Sequence, residues 1–343
     1  MRIILACDRS AGHILPAKCL ASCLKGDNIY FFAPSYYFKP LLKKEGWKVF
    51  GTSLKLRNIV FESIFRFWEA IYIICRLRPH RVAGFGGRDA FFIILWARLL
   101  HIDAVLYEPN VMMGRANRAL YPLVKIVYHG FPVPYAPDKN IAVGIPLRDS
   151  LRKIDKAMAR ENLGLEKSSV TILCFGGSQG SEFINNAFKK FVIASKSDFQ
   201  IIHVTGAKQK RHFSEFYDKI NKKAVCYDFC GEMDLLYSAA DFVISRSGAL
   251  TVAEVSFYRL PALFIPYPGA GAHQYANAAY LEERKACFVF RQDSFLFDKF
   301  SECIENLIAD GDTRRGLSNN IGRINVAVSS RDFCRKFMLQ AYL

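Results

Sequence analysis

Carboxylates are the scarce side chains in this sequence. Asp and Glu number 31 against 47 Lys and Arg, so the formal net charge is +16. The deficit is uneven, because residues 1–150 carry 21 basic side chains and only 10 acidic ones. Such an excess points to a polyanionic partner: nucleic acid, an anionic membrane surface or a phosphorylated substrate. The basic residues are scattered among apolar ones and form no run like a DNA-binding arm. Also missing is an uninterrupted apolar run of the roughly 18–20 residues that a membrane-spanning helix needs. The nearest, residues 59–75, is broken by Glu62, Arg66 and Glu69. None of the ten cysteines forms a C-x-x-C pair, and Cys19/Cys23 and Cys226/Cys230 stand four apart without histidine ligands. With no signal-like segment ahead of the first strand, these cysteines are expected to be free thiols in a reducing cytoplasm. No Asp-x-Asp stands at a strand end to hold a metal, and Asp310-Gly311-Asp312 falls in a late polar stretch read as solvated.

What remains is 343 residues, 51% hydrophobic and 23% charged, enough for two packed cores. Short apolar runs at 3–6, 29–33, 81–85 and 104–107 read as strands, with helical patterns at 16–24 and 91–100. The pattern restarts at 170–175 and continues with strands at 199–205, 224–229, 242–245 and 262–265. Repeated β-α units predict an α/β fold of two doubly wound parallel sheets facing a cleft. The boundary is placed between 146 and 147, after the turn Gly144-Ile145-Pro146, giving domains 1–146 and 147–343. The last helix is free to pack back on the first domain.

Four stretches carry chemistry. Gly176-Gly177-Ser178-Gln179-Gly180 stands where a strand gives way to a helix, where backbone N–H groups can approach an anion. It lacks the G-x-G-x-x-G spacing and the P-loop lysine, so neither a nicotinamide site nor a Walker A site is supported. By itself it also fits a tight turn with no ligand. Ser245-Arg246-Ser247-Gly248 leads into Ala249, Leu250 and Thr251, which can face a diphosphate. Glu254, one turn on, suits ribose hydroxyls, or is simply a solvated helix carboxylate. A Gly-rich loop from Pro266 leads to His273, Gln274 and Asn277; amides of this kind pair with sugar hydroxyls, or cap the next helix. His13 follows the first strand, where a neutral imidazole can take a proton from an attacking hydroxyl, although a lone histidine is often structural.

In this order, the stretches resemble the MurG family, the lipid-II-forming N-acetylglucosaminyltransferases of bacterial peptidoglycan synthesis (glycosyltransferase family 28). The anchors are Gly12-His13, Gly84-Phe85-Gly86-Gly87, Glu108, Asn110, Ala116-Asn117-Arg118, Gly144 to Arg148, the two Gly/Ser turns, Glu254, and His273-Gln274 with Asn277. The resemblance implies a GT-B fold of two Rossmann-like domains. The first would bind the acceptor and face the membrane; the second would bind UDP-GlcNAc. It implies inverting transfer of N-acetylglucosamine to the muramyl sugar of lipid I. On this basis His13 is the candidate base and Glu108 its competitor. Asn110, Arg148, Ser178, Cys230, Ala249, Leu250, Thr251, Glu254, His273 and Gln274 are the expected donor contacts. Arg9, Ser10, Gly12 and Arg88 are the expected contacts of the acceptor diphosphate. No metal or other cofactor is expected, since helix N-termini and Arg148 can stabilise the leaving diphosphate.

The acceptor half departs from the family. Its G-G-T-G-G-H loop reads Asp8-Arg9-Ser10-Ala11-Gly12-His13 here, Arg88 replaces a tyrosine, and Pro109 replaces a glutamine. A related UDP-sugar transferase with another lipid-linked or glycolipid acceptor is therefore the alternative. Residues 59–74 form a wide apolar surface with a narrow polar stripe of Glu62, Arg66 and Glu69, and Lys55, Arg57, Arg76, Arg78 and Arg81 flank it. Either a buried crossover helix or a helix lying in a membrane interface would look like this. The expected partners are UDP-GlcNAc, lipid I and an anionic membrane, with the protein peripheral on the cytoplasmic face of the inner membrane. A non-catalytic nucleic-acid-binding protein is disfavoured for want of a known module.

Overall fold

The structure, a computed structural model, describes all residues except 9–10, 25–27, 54–57, 178–179, 270–271 and 340–343. Contacts divide the chain into two compact units, residues 1–148 with 328–343, and residues 149–327.

The first unit is built on strands β1 (Arg2–Ala6), β2 (Asn28–Phe32), β3 (Lys48–Phe50), β4 (Arg81–Gly84), β5 (Asp103–Glu108), β6 (Ile126–His129) and β7 (Asn140–Ala142). They pair in the order β3-β2-β1-β4-β5-β6-β7, every pair parallel. Helices α1 (Ala11–Cys23), α2 (Phe38–Lys44), α3 (Ile59–Leu77), α4 (Arg88–Leu99) and α5 (Arg115–Leu120) connect them. Parallel strands require such crossovers, and a sheet covered on both faces needs strands apolar on both. Alternate residues serve opposite faces. Leu5, Phe31 and Tyr107 pack in one core cluster with residues of α1, while Ile4, Phe32 and Leu106 pack in another with residues of α3 and α4.

The chain leaves this unit through β8 (Ile145–Pro146) and returns through β15 (Ala327–Val328), and the two pair. Helix α14 (Ser330–Leu339) then packs on the first unit. Phe333 and Phe337 enter the first core, and the Tyr128 hydroxyl donates to the Phe337 carbonyl at 3.0 Å. This return also corrects the expectation that every cysteine is a free thiol. Cys23 at the end of α1 and Cys334 of α14 form a disulfide. Their separation of 311 residues hides the pairing in the sequence.

The second unit contains α6 (Lys156–Asn162), β9 (Thr171–Phe175), α7 (Glu182–Ala194), β10 (Gln200–Val204), α8 (Lys210–Lys219), β11 (Ala224–Tyr227) and α9 (Met233–Ala239). It continues with β12 (Phe242–Ser245), α10 (Ala249–Tyr258), β13 (Ala262–Phe264), α11 (His273–Glu282), β14 (Phe288–Val289), α12 (Phe297–Ala309) and α13 (Gly311–Ile324). The strand order is β11-β10-β9-β12-β13-β14, again all parallel. His203 is fully buried here between the Tyr217 hydroxyl, at 2.9 Å, and the Asn185 amide oxygen, at 3.1 Å. Burial holds its pKa down to about 3, so it is a neutral core residue. Asp310 is exposed, as read from sequence, and caps α13, its carboxylate accepting from the Asp312 backbone N–H at 2.8 Å.

Candidate functional site

Each sheet reverses its winding at one place, between β1 and β4 in the first and between β9 and β12 in the second. Open parallel sheets bind ligands beyond the C-terminal strand ends at such a point. Gly12, His13 and Arg88 follow β1 and β4, and Ala249, Leu250, Thr251 and Glu254 follow β12.

In the first unit, α1 begins at Ala11, five residues ahead of Pro16, where the sequence had placed its start. Gly12 and His13 therefore lie in the first turn of a helix rather than in a loop. Across the switch point, the turn after β4 approaches closely. A Cβ on Gly86 would stand 3.1 Å from His13 Nε2, and one on Gly87 would overlap the Asp8 side chain. Gly87 has φ +90°, so this turn requires glycine on both counts. Arg88, the first residue of α4, does not stand alone: its guanidinium pairs with the buried Glu62 carboxylate at 2.9 Å. Arg9 and Ser10 lie outside the described residues.

Glu108, at the end of β5, is 2% exposed. One carboxylate oxygen accepts from the Asn110 backbone N–H at 3.1 Å and from the Asn110 amide at 2.9 Å. The other accepts from the Gly114 N–H at 2.8 Å and the Asn117 amide at 2.9 Å. A carboxylate holding four donors ties the end of β5 to the following loop and to the start of α5. Arg148 is the half-buried last residue of the first unit.

In the second unit, the turn after β9 closes against the end of β10. A Cβ on Gly180, at φ +76°, would lie 2.7 Å from both Gly206 Cα and the Thr205 carbonyl oxygen. Ser178 lies outside the described residues. Beyond β12, Ala249, Leu250 and Thr251 form the first turn of α10, whose N–H groups have no partners within the helix. Glu254 is only 9% exposed and accepts the Tyr237 hydroxyl at 2.8 Å, which excludes the solvated helix carboxylate. The Gln274 side-chain oxygen accepts from the Tyr267 N–H at 3.0 Å, and its backbone carbonyl accepts the Ser247 hydroxyl at 2.8 Å. Asn277, fully buried, donates to the Ser247 carbonyl at 3.1 Å and so fixes the turn. His273 opens α11, and Cys230 follows β11 at the same end of the sheet.

Arg246 lies within the Ser245-Arg246-Ser247-Gly248 motif. It is 9% exposed, and its guanidinium donates to the Ile265 and Pro266 carbonyls, the Ser181 hydroxyl and the Gln292 amide at 2.8–3.0 Å. All four acceptors are neutral, and among the described residues no carboxylate pairs with this guanidinium, which lies on the chain two residues ahead of the α10 N-cap. Burial lowers its pKa from the ordinary arginine value, but not enough to discharge a guanidinium. A lone arginine inside a run of small and apolar residues was the signal available.

The remaining surface feature is α3, which is turned opposite to an ordinary surface helix. Its polar stripe faces inward: Arg66 is 0% exposed and Glu62 is 3% exposed. Arg66 pairs with Glu69 and with Asp89 of α4. Its apolar side faces out, with Ile59, Val60, Phe61, Ile64, Trp68 and Tyr72 all half exposed or more. Arg76 and Arg78 stand exposed at its C-terminal end. No helix among the described residues is long and apolar enough to cross a membrane.

Comparison with known proteins fits this geometry. Residues 171–322 match the family model described as the glycosyltransferase family 28 C-terminal domain. A Halothermothrix orenii protein named UDP-N-acetylglucosamine–N-acetylmuramyl-(pentapeptide) pyrophosphoryl-undecaprenol N-acetylglucosamine transferase is 30% identical, over 94% of this chain and 95% of its own. The chain belongs to that transferase family. A Protochlamydia amoebophila member of the same name is 35% identical, over 79% of this chain and 77% of its own. The crystal structure of Acinetobacter baumannii MurG superposes with a TM-score of 0.81 at 24% identity, covering 99% of each chain, and shows the fold to be GT-B.

Proposed function

We propose that this chain transfers N-acetylglucosamine from UDP-GlcNAc to the muramyl sugar of lipid I, with inversion, forming lipid II at the cytoplasmic face of the inner membrane. The observation that carries the donor half is the gathering of the α10 N-terminus, buried Arg246 and nearly buried Glu254 beyond β12. An anion-binding helix end beside a fixed cation suits a diphosphate, and a carboxylate one turn on suits a ribose. Ala249, Leu250 and Thr251 would meet the diphosphate and sugar, Cys230 the uracil, and His273, Gln274 and Asn110 the sugar. Arg148 and Ser178 would lie near the nucleotide.

In the first unit, His13 would take the proton as the acceptor hydroxyl attacks the anomeric carbon, and UDP would leave with its electron pair. Charge developing on UDP would be met by α10 and Arg246, with no metal ion required. Gly12 and Arg88, together with Arg9 and Ser10, would hold the acceptor's diphosphate. The outward apolar side of α3, with Arg76 and Arg78 at its end, supports peripheral attachment to an anionic bilayer.

The test is turnover of labelled UDP-GlcNAc with lipid I and with other lipid-linked acceptors, each with and without a chelator. Formation of lipid II that survives chelation is expected. Turnover only with another glycolipid would move the protein to the related transferase whose acceptor differs. Loss of activity on chelation would overturn the metal-free mechanism.

A further inference from the structure

The second unit has a cavity at the opposite end of its sheet. Its volume is about 440 Å³, within the usual range for small-ligand sites. Ala240, Asp241, Leu260 and Pro261, which line it, all immediately precede β12 or β13, so it lies away from the Gly/Ser turns. Five basic side chains line it, Lys153, Lys156, Arg259, Arg314 and Arg315, against one carboxylate, Asp241. That carboxylate is already engaged by Lys156 at 2.9 Å and Arg160 at 2.6 Å.

Lys153 and Arg259 carry no ion pair among the described residues. The Lys153 ammonium stands over the Phe257 ring at 4.9 Å. Partial burial and then the nearby Arg259 charge lower its pKa from the ordinary lysine value. Both cations sit on a fixed framework. The segment bearing Lys153 is pinned by the Tyr258 hydroxyl donating to the Arg152 carbonyl at 2.8 Å. It is pinned again by the Ile154 N–H donating to the Ser238 hydroxyl at 3.1 Å. Arg259 is a non-glycine residue at φ +56°, and its side chain lies across Gly322 of α13, where a Cβ would come within 3.0 Å of Arg259 Cδ. Arg314 is held by the Leu307 and Ile308 carbonyls near the end of α12.

Two cations line one cavity with no ion-pair partner among the described residues, on a backbone held in place, an arrangement that suits an anion. We infer that this cavity binds a phosphorylated ligand, either a small soluble phosphate or diphosphate or the headgroup of an anionic phospholipid, independently of the UDP-sugar site. Lys153 and Arg259 would contact the phosphoryl oxygens, with Arg314 lining the same cavity and Arg315 already paired with Asp312. The inference stands apart from the transferase reading.

The experiment is calorimetric titration of the full chain with inorganic pyrophosphate, after UDP has been added to saturation so that the first site is occupied. In parallel, the protein is sedimented with phosphatidylglycerol/phosphatidylcholine vesicles. Lys153→Ala and Arg259→Gly are compared with wild type in both. Glycine is suited to the left-handed backbone at 259, so Arg259→Gly is expected to unfold no earlier than wild type. Pyrophosphate binding that falls about tenfold or more in either variant identifies a soluble ligand. A comparable fall confined to vesicle binding identifies a lipid headgroup. If both variants bind pyrophosphate and vesicles as wild type does, the cavity is not an anion site. UDP affinity is read separately, so failure of the donor site and failure of this one are distinguishable.

Discussion

The outward face of α3 allows a prediction worked from its exposed area. Trp68 is 63% exposed and Phe61 64%. Complete burial of a large apolar side chain contributes about 1.5–3 kcal/mol, so with roughly 60% still to bury, each contributes about 1–2 kcal/mol on entering a bilayer interface. Replacing both by alanine should cost about 3 kcal/mol, a fall of about a hundredfold in vesicle partitioning. Sedimentation with anionic vesicles measures this directly. Tryptophan emission gives a second readout, because Trp47, Trp68 and Trp96 all lie in the first unit. Trp96 is already packed, its indole N–H donating to the Phe67 carbonyl at 3.0 Å, and Trp47 stacks edge-on against Phe31. Lipid should therefore shift wild-type emission to the blue, and Trp68→Phe should abolish most of the shift while leaving binding nearly intact. High salt should weaken binding without eliminating it, since only the Arg76 and Arg78 contribution is screened. Partitioning of the double variant equal to wild type, or binding without any shift, would refute the membrane assignment of this face.

Glu254→Gln should raise the KM for UDP-GlcNAc about tenfold to a hundredfold and reduce UDP protection against thermal unfolding, the range of one charge-assisted hydrogen bond; steady-state kinetics checks this. His13→Gln should lower kcat by about two orders of magnitude with little change in UDP affinity. Arg246→Met should weaken UDP binding and lower the melting temperature, because two buried carbonyls lose their donor at about 1–3 kcal/mol each if unmet by water, and two part-buried side chains lose theirs. His203 has a pKa of about 3 in the fold and about 6.5 unfolded, so the unfolded chain binds the extra proton between those values. Stability should fall by roughly 1.4 kcal/mol per pH unit below about 6 on this account, and His203→Gln should flatten that dependence in acid denaturation curves.

The central strands were legible because each is a short apolar run between turn residues, and burial on both faces demands that. The peripheral β3, β6 and β7 were not picked out. Lys48–Phe50 and Asn140–Ala142 are three residues each, and Ile126–His129 ends on a polar residue. Pro16 misplaced the start of α1, since proline is commonest in a first helical turn and here stands five residues inside. The Gly/Ser turns were legible because glycine-only geometry leaves its mark in composition. Partner choice was not: the four donors around Glu108 and the pairing of Arg88 with Glu62 are contacts between segments. For α3 the periodicity was read correctly, but periodicity alone cannot say which face points in. Arg66, Glu69 and Asp89 decide that through contacts between two helices, and no single-segment pattern contains them.

The pairing of β8 with β15 makes the second unit an insertion into the first. Its entry and exit lie on adjacent backbones, with the Leu147 N–H donating to the Val328 carbonyl at 3.1 Å. A segment that starts and stops at neighbouring points can be lifted out and replaced with a short turn, or exchanged for the matching segment of a relative. The second unit is, in that sense, a cassette, and on the proposed assignment of the donor to it, a chimera joined at these two strands would carry a new donor preference on an unchanged first unit.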